Sequence, residues 1–152
     1  MSASPSLAEA LCWEIRRSFR ELSSAADREL SILGITVSDR ALLEHLARER
    51  EPISLSELAR QRSVSRQHIH QSLKRLRNPK WIELRPDPTD ARQVLLRLSP
   101  TGTLFWEKVR KLDKGFFARM ATCLNASEAQ KTAETLRKLR AWLGQKADES
   151  HG

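Results

Sequence analysis

Tyrosine is absent from this 152-residue chain, cysteine occurs twice and glycine five times. Two thiols, Cys12 and Cys123, are too few for a disulfide framework, so the fold is not expected to rest on cross-links. There is no run of eighteen apolar residues, and the N-terminal MSASPSLAEAL lacks the basic-then-apolar order of a secretion signal. The expectation is a cytoplasmic protein with no membrane partner. Catalytic patterns are also missing: there is no glycine-rich phosphate loop, nucleophile elbow, H-E-x-x-H pair or paired acid, so neither an enzyme nor a cofactor is expected. His68 and His70 are two apart on a helix and diverge, while His45 and His151 have no ligand-spaced companion, so no metal is expected either.

What remains is a basic, helix-rich composition. The chain is 39% hydrophobic and 30% charged, with a net charge of +8. Its length suits one domain with a genuine core, or one domain plus an oligomerisation element. Between Arg60 and Arg97 ten basic residues face three acids, a local excess of +7 that accounts for nearly all of the total. A charge run is ordinarily a solvated face, so its meaning depends on the fold that carries it.

Apolar periodicity supplies that fold. Leu7, Leu11, Ile15, Phe19, Leu22, Ala26 and Leu30 recur at three- and four-residue steps, one narrow stripe of a long helix that Gly34 ends. A helix of this kind needs another surface to lie on. Ser38 is placed to cap a second helix with Leu42, Leu43 and Leu46 inward. Ser54 and Glu57 have capping-box spacing and open a short third helix, Leu55 to about Arg62, with Leu58 and Ala59 as core contacts. After Ser63-Val64-Ser65, Ser65 caps a fourth helix from Arg66 to about Arg77, which Asn78-Pro79 ends.

On this fourth helix Ile69, Leu73 and Leu76 share the buried face. Arg66, Gln67, His68, His70, Gln71, Lys74 and Arg75 are left outside; all can hydrogen-bond to phosphates or base edges and none is acidic. A short helix, a three-residue turn and a helix with such a face make a helix-turn-helix. Trp81 to Gly102 then reads as a two-stranded ribbon, with Val94, Leu96 and Leu98 alternating inward and Asp87, Pro88 and Asp90 supplying the turn. Asp90 stands two residues from Arg92, placed to orient its guanidinium. Beyond the ribbon, Ser99-Pro100-Thr101-Gly102 opens a fifth helix striped by Phe105, Val109, Leu112, Phe116, Met120 and Leu124. Ser127 with Gln130 starts a last helix carrying Ala133, Leu136, Leu139 and Leu143, before a polar tail from Gln145.

The run Asp87-Pro88-Thr89-Asp90-Ala91-Arg92, followed by Leu98-Ser99-Pro100-Thr101-Gly102 and set after a helix-turn-helix, resembles the wing signature of the MarR family of winged helix-turn-helix transcriptional regulators. That signature is D-x-x-D-x-R with a leucine-threonine-x-x-glycine end, and Ser99 takes the threonine's place. Ser63 and Lys80 stand where members usually carry glycine. The resemblance covers Leu7 to Leu143 and implies a mainly α fold with a small β-wing, a winged helix-turn-helix with N- and C-terminal dimerisation helices. Residues 1–36 and 100–147 would form the dimerisation region, 37–99 the DNA-binding lobe and 148–152 a tail.

The resemblance further implies a homodimer acting as a repressor on double-stranded DNA at a pseudo-palindromic operator. Its DNA contacts would be Ser65, Arg66, Gln67, His68, His70, Gln71, Lys74 and Arg75 on the recognition helix and Asp90 and Arg92 on the wing. Arg92 would reach a minor groove and be held by a salt bridge from Asp90. A dimer neutralising about eight phosphates would lose log K with log salt at a slope near −7. Release from DNA would follow a small aromatic ligand, for which Trp13, Phe19, Phe105 and Trp106 are the candidate lining, or an oxidant acting at Cys12 and Cys123. The other reading is a basic architectural nucleic-acid-binding protein with no ligand input; an RNA binder would need aromatic platforms this chain lacks.

Overall fold

In the computed structural model, residues 4–77 and 80–149 are described. The Asn78-Pro79 stop and the last three residues of the expected tail lie outside them. The chain divides into two units, Met1–Lys114 and Gly115–Gly152. Its elements run α1 (Pro5–Leu30), a 3-10 turn (Ser31–Leu33), α2 (Val37–Arg48), β1 (Ile53–Ser54), α3 (Leu55–Arg62), α4 (Arg66–Arg77), β2 (Ile82–Pro86), β3 (Val94–Leu98), α5 (Pro100–Ala121) and α6 (Ala126–Glu149).

The core of the first unit joins the end of α1 to the helix-turn-helix, the sheet and the start of α5. Leu30, Ile35, Leu42, Leu43, Leu46, Leu58, Ile69, Leu73, Leu76, Ile82, Leu96, Phe105 and Val109 are all buried in one cluster. Each such aliphatic side chain contributes about 1.5–3 kcal/mol by leaving water. The inward residues expected on the second, third and fourth helices are therefore the ones buried. Gly34 ends the 3-10 turn in the left-handed region, with φ 71°.

The outer stripes differ. Leu7, Leu11, Phe19 and Leu22 on α1 are exposed. In the second unit Phe117, Leu124, Leu136, Trp142 and Leu143 are exposed as well.

Local chemistry departs from the expected pattern at four helix ends. Thr36, not Ser38, caps α2: it is extended, and its hydroxyl accepts from the Asp39 N–H at 3.2 Å while Asp39 Oδ2 accepts from the Thr36 N–H at 3.0 Å. Ser38 lies inside the first turn, where its hydroxyl cannot serve that role. Ser54 does cap α3, accepting from the Glu57 N–H at 3.2 Å. The Glu57 carboxylate, however, turns forward to Arg60 and Gln61 instead of closing a capping box, and those contacts hold it down to about 2. Asn125, not Ser127, caps α6, its Oδ1 accepting from the N–H groups of Ser127 and Glu128. The segment from Gln145, expected as tail, continues α6 to Glu149.

The ribbon is three-stranded rather than two-stranded, in the order β1-β3-β2 and antiparallel throughout. Ile53 lies opposite Leu96, and Leu84 flanks Leu96 from the other side. The alternation on β3 holds at its base, where Leu96 is fully buried and Leu98 packs against the core. It fails toward the tip, where Val94 is 43% exposed.

One buried ion pair fastens α4 to α2. Asp39 is fully buried, and Arg75 grips it through two nitrogens: Nε donates to Oδ2 at 2.9 Å and Nη2 to Oδ1 at 2.7 Å. Burial pushes the Asp39 carboxyl up, but hydrogen bonds from Arg75, the Thr36 backbone and the Ser72 and Thr36 hydroxyls outweigh it and hold it below the ordinary carboxylate value. A second pair joins α2 to α5, with Arg40 Nε donating to Asp113 Oδ2 at 2.8 Å and the guanidinium over the Trp106 ring.

The Asp39 pair predicts an asymmetry, because the Arg75 side chain is 45% exposed and can rehydrate whereas Asp39 cannot. Arg75→Met, which strands a buried carboxylate, should cost about 3–5 kcal/mol, and Asp39→Asn only about 1–2 kcal/mol. Because the folded carboxyl titrates below its unfolded value, this stabilisation is complete above about pH 5 and is lost as pH falls through the folded pKa. Urea denaturation of both variants between pH 7 and pH 3 measures the ranking and the convergence at low pH.

Candidate nucleic-acid interface

The outward face of α4 and the inner side of the wing enclose a groove of about 620 Å³. Arg66, His70, Lys74 and Arg77 line it from α4, Leu55 and Ser56 from α3, and Leu84, Arg92, Gln93 and Val94 from the sheet and wing. No carboxylate is among the lining residues. Positions 66, 70, 74 and 77 are one helical stripe, so α4 presents the cations Arg66, Lys74 and Arg77 in a row with the His70 imidazole between them. A cleft lined by charge of one sign concentrates its potential on a polyanion.

The expected contact residues divide between this stripe and its surroundings. Ser65 caps α4, its Oγ accepting from the His68 N–H at 3.1 Å, so it fixes the start of the helix. Gln67 and Gln71 are exposed, and His68 is partly covered. Arg75 is not in the cationic row; its guanidinium is committed to Asp39. Arg77 was not among the expected contacts, although its spacing from Lys74 and His70 places it on their stripe. Ser56, Gln93 and the apolar wall of Leu55, Leu84 and Val94 become visible only when α3 and the wing are brought against α4.

The wing tip is held by its two aspartates. Asp87 Oδ1 accepts from the Thr89 N–H at 2.8 Å and from the Thr89 hydroxyl at 2.7 Å, contacts that lower the carboxyl below its ordinary value. Asp90 does not hold the Arg92 guanidinium in a salt bridge, as expected from the motif. Its Oδ1 accepts from the Arg92 backbone N–H at 3.0 Å and its Oδ2 from Gln93 Nε2 at 3.1 Å. An aspartate's own backbone N–H two residues on is its nearest donor in a tight loop, and here it prevails.

Both joints of α4 have left-handed backbone at non-glycine residues, Ser63 with φ 51° and Lys80 with φ 60°. Ser63 turns the chain between α3 and α4, with its N–H on the Arg60 carbonyl at 3.1 Å. Lys80 leads into β2, and its carbonyl accepts from the hydroxyls of Ser99 at 2.6 Å and Thr101 at 3.1 Å. Ser99 also caps α5, accepting from the Gly102 N–H at 2.9 Å. A Cβ at Gly102 would lie 1.9 Å from the Trp81 carbonyl oxygen, so only glycine lets α5 start against the base of the wing. Trp81 then stacks on Phe105 with centroids 3.5 Å apart.

The candidate signal residues are placed separately. Cys12 is exposed on α1, and Cys123, exposed in the second unit, donates its thiol to the Met120 carbonyl at 3.0 Å. Trp13 and Phe19 stand exposed on α1, Phe105 is buried in the core, and Trp106 lies under Arg40. Among the described residues no group of three or more His, Cys, Asp or Glu side chains could hold a metal.

Comparison with known proteins places this geometry. A model of the MarR family matches residues 33–93. Comparison with curated protein sequences finds no match. Among solved structures, a MarR family transcription regulator aligns with 95% of this chain and 94% of its own at a TM-score of 0.81 and 24% identity. A mutant MarR from E. coli complexed with operator DNA aligns over 91% and 99% at 0.77 and 24% identity. The S. aureus MepR-DNA complex aligns over 92% and 98% at 0.75 and 18% identity. At these identities the likeness to the solved structures is one of fold.

The left-handed joints generate a prediction. A non-glycine residue in that region costs about 1–2 kcal/mol, while glycine gives back part of the gain through a freer unfolded chain. Ser63→Gly and Lys80→Gly should each stabilise the protein by about 0.5–1 kcal/mol net, read as a shift in the urea midpoint at unchanged slope.

Proposed function

We propose that this chain, which a MarR-family model matches over residues 33–93, works as a dimeric, sequence-specific DNA-binding regulator of that type that represses from a pseudo-palindromic operator. The observation that carries the reading is the groove between α4 and the wing, whose lining holds four cations and no acid. In this reading α4 enters a major groove, with Gln67, His70 and Gln71 toward base edges and Arg66, Lys74 and Arg77 toward phosphates. The wing carries Arg92 to the adjacent minor groove, where a narrow A·T-rich tract favours a guanidinium. Two solved structures of the same fold, the E. coli MarR mutant and S. aureus MepR, are complexes with DNA, which supports the same use of the fold here.

Residues 37–99 form the DNA-binding lobe in this proposal, and residues 1–36 and 100–147 the dimerisation region, followed by the 148–152 tail. The unburied apolar stripes of α1 and of the second unit support dimerisation, since Phe19 at 69% and Leu7 at 60% exposure are costly to leave in water. Two subunits would set two recognition helices about one DNA turn apart. For the releasing signal, the exposure of Cys12 and Cys123 supports an oxidant acting on thiols. An aromatic ligand has less support, because Phe105 is already committed to the core and to Trp81.

Arg92→Ala tests the reading. Affinity for duplex selected by the wild-type protein should fall about 10- to 100-fold, and the slope of log K against log salt should become shallower by about 2 for a dimer. The thermal melt should be unchanged, since Arg92 is exposed. Unchanged affinity would remove the wing from the interface.

A further inference from the structure

The two walls of the groove differ in chemistry. The α4 wall carries Arg66, Lys74 and Arg77, whereas the sheet wall opposite is hydrocarbon. On β3, Val94, Leu96 and Leu98 share one face of the sheet. Leu96 is fully buried, but Val94, two residues nearer the tip, is 43% exposed and lines the groove. Leu84, paired with Leu96 across the strands, lines it as the diagonal neighbour of Val94. The amide of the adjoining Gln93 is turned to Asp90, and Arg92 stands beyond in the turn. A half-exposed valine in a cationic cleft calls for a partner that is anionic on one side and apolar on the other.

We infer that Val94 and Leu84 form a seat for a deoxyribose of the operator strand and make the protein reject ribose at that place. The inference rests on the proposed use of α4 and the wing on DNA. A helix in a major groove and a wing in the adjacent minor groove must straddle the one sugar–phosphate strand that separates them, and that strand passes between α4 and the wing. On its major-groove side α4 offers cations to phosphate oxygens. On its minor-groove side the sheet offers Val94 and Leu84 to the sugar. A ribose displays its 2′-hydroxyl on the minor-groove side. Pressed against these side chains the hydroxyl would lose water and gain neither donor nor acceptor, whereas deoxyribose presents only C–H groups, whose burial is favourable.

The test uses the full-length protein and a fluorescein-labelled duplex selected from a random pool by the wild type, with affinity read by anisotropy. One nucleotide of one half-site at a time is replaced by its ribo or its 2′-fluoro counterpart. Fluorine biases the sugar toward the ribose pucker but donates no hydrogen bond, so the pair separates hydroxyl from pucker. The wild type should lose about tenfold with ribose at one or two adjacent positions, and less than about twofold with fluorine there. Val94→Thr keeps the side-chain shape and strand propensity and supplies a hydroxyl partner, so it should bind the ribose and deoxyribose duplexes about equally. Val94→Ile, still apolar, should keep the wild-type discrimination. Equal losses with ribose and fluorine, or full discrimination in Val94→Thr, would overturn the inference. Undiminished affinity for every ribose-substituted duplex, with selection still yielding a consensus, would overturn it while sparing the functional reading. Failure to select any sequence would overturn both.

Discussion

A buried carboxylate organises the helix-turn-helix of the first unit. Asp39 closes the first turn of α2 through Thr36 and receives the forked grip of Arg75 from α4, so one side chain serves as a helix cap and as an inter-helix clamp. A carboxylate with no solvent exposure is tolerable only because every donor around it is in place. The position at an α2 N-terminus adds the favourable end of the helix dipole. The rotation of α4 follows from this contact. With Arg75 turned toward α2, and Ile69, Leu73 and Leu76 in the core, the stripe through Arg66, His70, Lys74 and Arg77 has only the groove left to face.

The wing is set by a second constraint at its base. Ser99 and Thr101 hold the Lys80 carbonyl, Ser99 caps α5, and Gly102 admits the Trp81 carbonyl at a distance no side chain allows. The leucine-serine-x-x-glycine run is thus a joint between strand and helix. Lys80 accepts a left-handed backbone in order to deliver that carbonyl, and the cost is spread over the hydrogen bonds it makes possible. From this base the strands project to a tip whose turn is drawn closed by Asp87, Asp90 and Gln93, with Arg92 lining the groove.

Features with a local period were legible in the amino-acid order. Ile69, Leu73 and Leu76 announce the buried side of α4, and Asp87-Pro88 and Asp90 announce a turn, because spacing and turn chemistry act over a few residues. Features made by distant partners were not. β1 has two residues and no alternation to read, and it exists as a strand only because β3 offers it a free edge. Asp39 reads as an ordinary acid in a helix's first turn; its burial depends on Arg75, 36 residues away. Arg75 in turn reads as one more cation on a solvated face. Arg77 was within reach of the helical period but stood beyond the residues assigned to contact.

Selection of bound duplexes from a random pool by the full-length protein tests most directly whether a rigidly oriented α4 reads base edges. The predicted result is an inverted repeat with half-sites centred about one helical turn apart, bound about 10³-fold or more tighter than random duplex at physiological salt. Recovery of no consensus, with a specific-to-random ratio near one, would contradict it and leave a basic protein that holds DNA by its phosphates alone.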